Sequence, residues 1–204
     1  MRLLPCGDHA ILVELTDREE RRRLDTVLRG TPIPRVTEHV PADHTVLVRV
    51  EQPGDLQSVA DAIRRVDLAA VVPEAADARA VTIPVRYDGP DLAVAADHLG
   101  LTVGQVIERH SGQPWRVEFG GFAPGFGYLS ALETPMPVPR RDSARTRIPA
   151  GSVGLAGDYS GIYPTASPGG WQLIGSTDVG LWTPDREPPA LLSPGTTVHF
   201  EVVR

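Results

Sequence analysis

Four arginines fall within eight residues, Arg140, Arg141, Arg145 and Arg147, in a chain whose formal net charge is -6. Guanidinium forks at that density suit bidentate capture of a carboxylate or phosphate, although an exposed loop bridged to nearby acids would carry the same pattern. Upstream, Gly120 to Leu129 sets four glycines among Phe122, Phe126 and Tyr128. Backbone this unencumbered can approach a ligand while the rings wall a pocket, or the segment can be a hairpin whose rings pack in the core. Pro124 removes a backbone donor in mid-segment, and no dinucleotide fingerprint is present, so the segment is not a phosphate cradle. Downstream, Tyr163, Ser167 and Trp171 tip a turn-rich stretch whose side chains can bind as well as pack. Between these segments, Ala150-Gly151-Ser152-Val153-Gly154 is similar to a loosened nucleophile elbow. Gly154, Gly157 and Gly161 cannot propagate the helix that an elbow requires, so no hydrolase triad is expected and Ser152 is read as a hydrogen-bonding group.

All 20 basic residues are Arg, and the chain contains neither Lys nor Asn. A Walker A loop, a protein-kinase phosphate site, a Schiff base, a biotin attachment site and a Ser-Ser-Lys triad each need a lysine, so none resides in this chain. Any ATP or biotin chemistry in its pathway falls largely to a partner. The single cysteine, Cys6, cannot form an internal disulfide, which fits a reducing compartment and predicts a buried thiol. Among the six histidines only His39 and His44 lie close in sequence, flanking a turn with no supporting Cys or Glu, and no metal is expected. The negative charge is dispersed, leaving no basic stripe for nucleic acid. No apolar run approaches the ~20 residues that span a bilayer, and no secretory pattern opens the chain, so a cytoplasmic protein is expected.

Three glycines precede residue 81 and seventeen follow it, which places a domain boundary near Ala80 and divides the chain into 1–80 and 81–204. Within 1–80, His9–Leu15 reads as a strand, Thr16-Asp17-Arg18-Glu19 as a capping box, and the following helix runs toward Gly30 with Glu19 to Arg23 as its solvated face. Strands over 35–40 and 45–51, a helix from Asp55 and a closing strand over 80–86 complete a β-α-β-β-α-β order, that of the ferredoxin-like α/β sandwich. Within 81–204, a pair of short helices, 91–99 and 102–111, precedes strands over 115–122, 147–156, 171–176 and 197–203. Glycine and proline clusters separate them, a pattern of an antiparallel β-barrel or sandwich.

Taken together, Gly121 to Leu129, Pro139-Arg140-Arg141, Ile148 to Gly154, Gly161-Ile162-Tyr163-Pro164 and Ser167 to Gly175 resemble the KipI/PxpB family, whose members are called the B subunit of 5-oxoprolinase or allophanate hydrolase subunit 1. Gly7-Asp8-His9-Ala10 and Leu191 to Gly195 extend the resemblance over nearly the whole chain. It implies an N-terminal α+β domain followed by a cyclophilin-like β-barrel domain. It also implies a PxpC/KipA-like partner whose related barrel pairs with this one, and a PxpA-like protein that joins them in ATP-dependent opening of 5-oxoproline to glutamate. No cofactor is bound covalently to this chain; ATP belongs to the complex. Other members inhibit a sporulation histidine kinase, and the barrel pair resembles the carboxyltransferase region of urea carboxylase, so both remain alternative functions. On the leading reading, Phe122, Pro124, Phe126, Tyr128, Tyr163, Ser167 and Trp171 shape a substrate pocket. Arg140, Arg141, Arg145 and Arg147 supply its positive charge for a small carboxylate-bearing substrate, and Ser152 supplies a hydrogen bond. Two places depart from the family pattern: Asp158-Tyr159-Ser160 stands before Gly161 where a Gln-Thr pair is usual, and Ser176 stands where an Arg is usual.

Overall fold

A computed structural model describes residues 1–72 and 79–204, and the chain forms two compact units, Met1–Ala75 and Ala76–Arg204. The first unit contains strands β1 (Arg2–Pro5), β2 (Ala10–Glu14), β3 (Val36–Pro41) and β4 (Thr45–Val50) with helices α1 (Arg18–Gly30) and α2 (Leu56–Arg64). The second contains β5 (Ala80–Val85), α3 (Leu92–Leu99), α4 (Val103–Ser111), β6 (Trp115–Gly120), β7 (Gly127–Ala131), β8 (Arg145–Ile148), β9 (Ser152–Ala156), β10 (Tyr159–Ile162), β11 (Ser167–Gly169), β12 (Gln172–Ser176) and β13 (Thr197–Val202). Among the described residues no helix is long and apolar enough to cross a membrane.

The first unit is an antiparallel sheet in the order β1-β2-β4-β3, with its core built from Val13, Leu24, Val46, Val48, Val59 and Ile63. Its spatial order is that of the split β-α-β motif, with a difference in connectivity. The edge position expected for the strand over 80–86 is taken by β1, which pairs Leu3 with Val13 and Leu4 with Leu12, while the strand over 80–86 joins the second unit. Helix α1 opens one residue later than the capping pattern predicts. Asp17 accepts from the Glu20 N–H at 2.8 Å, and the Glu20 carboxylate accepts from the Thr16 N–H at 2.9 Å. Arg21, expected on the solvated face, is 1% exposed, because positions 21, 24 and 28 fall on one side of the helix and the arginine continues the stripe of Leu24 and Leu28. Cys6 is exposed rather than buried: it lies in the turn between β1 and β2, where its N–H donates to the Ala10 carbonyl at 2.9 Å.

The second unit is a seven-stranded sheet, β12-β9-β10-β7-β6-β13-β5, rolled until its two ends meet. Every pairing is antiparallel except that of β13 with β5, and Arg86 and Ser176 exchange two backbone hydrogen bonds of 2.9 and 2.8 Å across the seam. Gly175 sits at that seam because a Cβ there would lie 2.5 Å from the Arg86 carbonyl oxygen. Inside the barrel Trp115, Val117, Leu129, Val153, Leu155, Ile162, Ile174 and Val198 form one core, closed by Ala95 and Val106 of the two helices. A second cluster, built on Phe119, Phe126, Tyr163 and Trp171, packs on the outer face. Two bulges switch side chains between them. On β6, Val117 pairs with Leu129 but Phe119 pairs with Tyr128, so the extra residue Glu118 turns Phe119 outward; on β12, Ile174 does the same between Leu173 and Gly175.

Polar groups also lie within the second unit's interior, His110 among them. The His110 ring is fully buried, stacked on Phe200 at 4.3 Å, with Nδ1 2.8 Å from the Tyr87 hydroxyl and Nε2 2.9 Å from the Ser160 hydroxyl. Burial pushes its pKa down from 6.5 to about 3. The unfolded chain therefore binds this proton near pH 6.5 while the folded chain does so only near 3, so the unfolded state holds more protons in between and stability falls as pH drops through that window. Urea denaturation below pH 6.5 is expected to show a loss from this group that steepens toward about 1.4 kcal/mol per pH unit by pH 5. In His110→Gln, where position 110 no longer titrates, that component disappears; an unchanged slope would show that the imidazole is not held neutral.

Candidate functional site

The site is built where three loops meet on the outer face of the barrel: the β6–β7 turn, the arginine segment entering β8, and the segment from β11 to β12. In the first, Phe122 adopts a left-handed backbone conformation, φ +64°, which costs a non-glycine residue about 1–3 kcal/mol. This places a phenyl ring that is 57% exposed edge-on to Phe126 and Tyr163, at 5.3 and 5.9 Å. Phe126 is the hub of the cluster, with Tyr128, Tyr163 and Trp171 also edge-on at 5.0, 5.5 and 5.4 Å; such pairs contribute about 0.5–1.5 kcal/mol each beyond area burial. Gly161 of β10 is required beneath them, since a Cβ there would lie 2.8 Å from Phe126 and 2.9 Å from Trp171.

The arginine segment is held by a residue that carries no signal in the sequence. Asp91, the residue that opens α3, is 3% exposed, and its side chain makes no capping hydrogen bond to its own helix. Its Oδ1 accepts from Arg141 Nη1 at 2.9 Å and from Arg145 Nη2 at 2.7 Å, and its Oδ2 accepts from the Leu173 N–H at 2.8 Å. Burial by itself would raise this carboxyl, but Arg145, the Leu173 N–H and Arg141 outweigh it, and its pKa lies below the usual carboxylate value. The Arg141 N–H also donates to the Gly170 carbonyl at 2.8 Å, and β8 pairs with β11, so the arginine and tryptophan segments are locked side by side.

The outcome is two adjoining recesses. The smaller, about 200 Å³, is walled by Phe122, Phe126, Tyr128, Tyr163 and Trp171, floored by Gly169 and Gly170, and edged by Arg140. The larger, about 410 Å³, is lined by Arg140, Arg141, Asp142, Ser143, His98, Gln172, Val94 and Pro139. Arg140 is exposed and, among the described residues, forms no ion pair. Burial raises the phenol pKa values of Tyr128 and Tyr163 despite the opposing charge of Arg140, so both hydroxyls stay protonated at neutral pH. The smaller recess thus offers hydrogen-bond donors around an apolar floor, an arrangement that holds an anion with a flat body and can stabilise developing negative charge on oxygen.

The structure brings Phe122, Phe126, Tyr128, Arg140, Tyr163 and Trp171 together and sets Arg141 in the neighbouring recess. Arg145 serves Asp91. Pro124 is exposed in the turn, Arg147 is exposed on β8, and neither lines a recess. Ser152 is 6% exposed and donates to the Pro149 carbonyl at 2.9 Å, while Ser167 donates to the Thr165 carbonyl at 3.3 Å. Besides Asp91, His98 and Gln172 escape a reading of the sequence. Gln172 follows Trp171 directly, and its Nε2 donates to the Pro139 carbonyl at 3.3 Å. Of the two departures from the family pattern, Ser160 is buried against His110 inside the barrel, and Ser176 closes the seam and donates to Asp88 at 2.9 Å, so neither lines these recesses.

Likeness to known proteins bears on this geometry. The family model described as carboxyltransferase domain, subdomain C and D, matches residues 1–192. A protein of Escherichia coli O157:H7 named as the B subunit of 5-oxoprolinase is 41% identical over 206 residues, covering 95% of this chain and 92% of that one. Among solved structures, TTHA0988 superposes with a TM-score of 0.76 at 34% identity over 96% of this chain, which spans 40% of the length of that protein. Urea carboxylase of Kluyveromyces lactis shares the fold, TM-score 0.76, at 19% identity over 99% of this chain and 22% of its own length.

Removal of the Asp91 carboxylate would leave two guanidinium groups and a buried N–H without their acceptor. Asp91→Ala is expected to cost about 3 kcal/mol in urea denaturation. A loss under about 1 kcal/mol would mean that the arginine segment is held by other contacts.

Proposed function

The chain belongs to the family of carboxyltransferase domains, subdomain C and D, and from that premise we propose that it works as one subunit of an ATP-dependent 5-oxoprolinase. In this reading it acts with PxpC/KipA-like and PxpA-like partners to open 5-oxoproline to glutamate. The observation that carries the reading is Arg140, a guanidinium without an ion-pair partner among the described residues, set over an aromatic recess of about 200 Å³. The name borne by the 41% identical E. coli relative supports it.

The chemistry follows from what the recess contains. A lactam carbonyl is a poor electrophile, and its opening requires both activation and stabilisation of the oxygen as charge develops on it. The rings take the apolar face of a five-membered lactam, Arg140 takes its carboxylate, and the protonated Tyr128 and Tyr163 hydroxyls sit within the same recess as donors. Its side chains supply donors and a cation, and among the described residues the carboxylate of Asp142 and the imidazole of His98 stand in the adjoining recess. In this reading the phosphoryl donor comes from the partner proteins, and this chain binds, orients and stabilises.

Reconstitution of the three purified proteins tests the reading. Glutamate release from 5-oxoproline and ATP is expected to require this chain. Arg140→Ala should lower kcat/KM by about 100-fold, the worth of a charge-assisted hydrogen-bond pair, with partial recovery in Arg140→Lys. Undiminished release without the chain, or a chain that instead inhibits a histidine kinase with no turnover, would overturn it.

A further inference from the structure

In the first unit the sheet ends on β1 at one side and on β3 at the other, and the two edges differ. β3 is interrupted by a bulge between Val36 and Glu38, a common guard against the addition of a further strand, whereas all four residues of β1 pair with β2 in continuous register. The Cys6 N–H donates to the Ala10 carbonyl, so the backbone groups of Arg2, Leu4 and Cys6 turn toward β2. Alternation then directs the Leu3 N–H, the Leu3 carbonyl and the Pro5 carbonyl away from the sheet, where among the described residues no strand pairs with them. Beside this edge a recess of about 160 Å³ opens between β1 and α2. Leu3, Ile11, Leu56 and Ala60 give it apolar walls, Gln57 and Arg64 are its polar residues, and Arg64 is the one charged group in its lining.

We infer that the β1 edge is a docking site for an extended segment of a partner protein, added antiparallel as a fifth strand, with a large apolar side chain seated in the recess and an acidic residue two positions away facing Arg64. The backbone identifies the occupant. A donor and an acceptor on Leu3, followed two residues on by the Pro5 carbonyl, are matched by an extended chain, which carries the complementary groups at the same spacing. The register identifies the anchor. The residue opposite Leu3 exchanges both hydrogen bonds with it and projects its side chain to the same side of the sheet. Leu3 packs against the core shared with Leu56, so that is the side on which the recess lies. An apolar cavity of about 150 Å³ holds a benzene ring, and the recess is of that size. Residues two positions from the anchor share its side, so an acid there meets the positive charge of Arg64, which holds Asp61 through Nη1 at 2.7 Å while its side chain remains half exposed. None of these residues takes part in the function proposed above, and the inference stands apart from it.

The probe is the blocked peptide acetyl-Thr-Glu-Val-Phe-Val-Glu-Thr-amide, titrated into the whole chain while amide hydrogen exchange is followed by NMR. One-to-one binding is expected, with exchange of the Leu3 N–H slowed at least tenfold at saturation. Methylation of the Phe nitrogen removes the donor that meets the Leu3 carbonyl without altering the protein, and it should abolish binding. Alanine in place of that Phe should weaken the peptide at least tenfold, and Arg64→Glu, a change at an exposed position of the chain, at least fivefold. Absence of saturable binding, undiminished binding of the methylated peptide, or unchanged exchange of the Leu3 N–H would each overturn the inference. A dimer of the free chain with the Leu3 N–H already protected would assign the edge to a second copy and overturn it as well.

Discussion

A single buried carboxylate organises the outer face of the barrel. Asp91 satisfies two guanidinium groups and one backbone N–H at once, and those three partners come from segments 50 to 82 residues away in sequence. A buried charge is tolerated only when its lone pairs are matched, so the position of α3, the course of the arginine segment and the start of β12 are fixed with respect to one another. The same bond explains why neighbouring arginines have different duties. Arg141 and Arg145 are occupied by Asp91, and Arg140, one residue before the clamp, is left facing solvent at the edge of the aromatic recess.

The barrel supports this face through its irregularities. A regular sheet would alternate strictly between inner and outer faces, and Val117 and Phe119 would then share a side. The extra residues in β6 and β12 break that alternation, so that one stretch of strand contributes both to the interior and to the aromatic cluster outside. Strain is stored in the same place, at the left-handed Phe122, and it is offset by the edge-on contacts of that ring with Phe126 and Tyr163. The recess is accordingly a product of packing as much as of polar groups.

Much of this is legible in sequence and some is not, for identifiable reasons. Strands rich in β-branched residues, such as Thr45–Val50 and Thr197–Val202, and helices with clear caps, such as the one opened by Thr102 and Gln105, stand where their patterns predict. The strands that escape are Arg2–Pro5, Gly127–Ala131, Tyr159–Ile162 and Ser167–Gly169, which are short and interrupted by Pro, Gly or Ser, residues that normally signal turns. The motif residues Phe126, Tyr163 and Trp171 can be picked out by type, but their company cannot. Asp91 reads as an ordinary helix-opening acid, and its role exists only once remote arginines have been folded onto it. The seven-stranded sheet likewise takes β5 from a segment that local pattern assigns to the first unit, because a parallel partner over a hundred residues away is invisible to local periodicity.

That parallel pairing bears on how the protein is made. β13 lies between β6 and β5 in the sheet, so the cylinder lacks the stave that joins those two strands until Thr197–Val202 has left the ribosome. During translation β5 can hold only the seam at Ser176, and the nascent second unit waits, open and apolar, for its last strand, while the first unit already has every strand it needs. Chaperone dependence should accordingly concentrate in the barrel, and a stop codon just before Thr197 would be far more damaging than the length of the missing piece suggests.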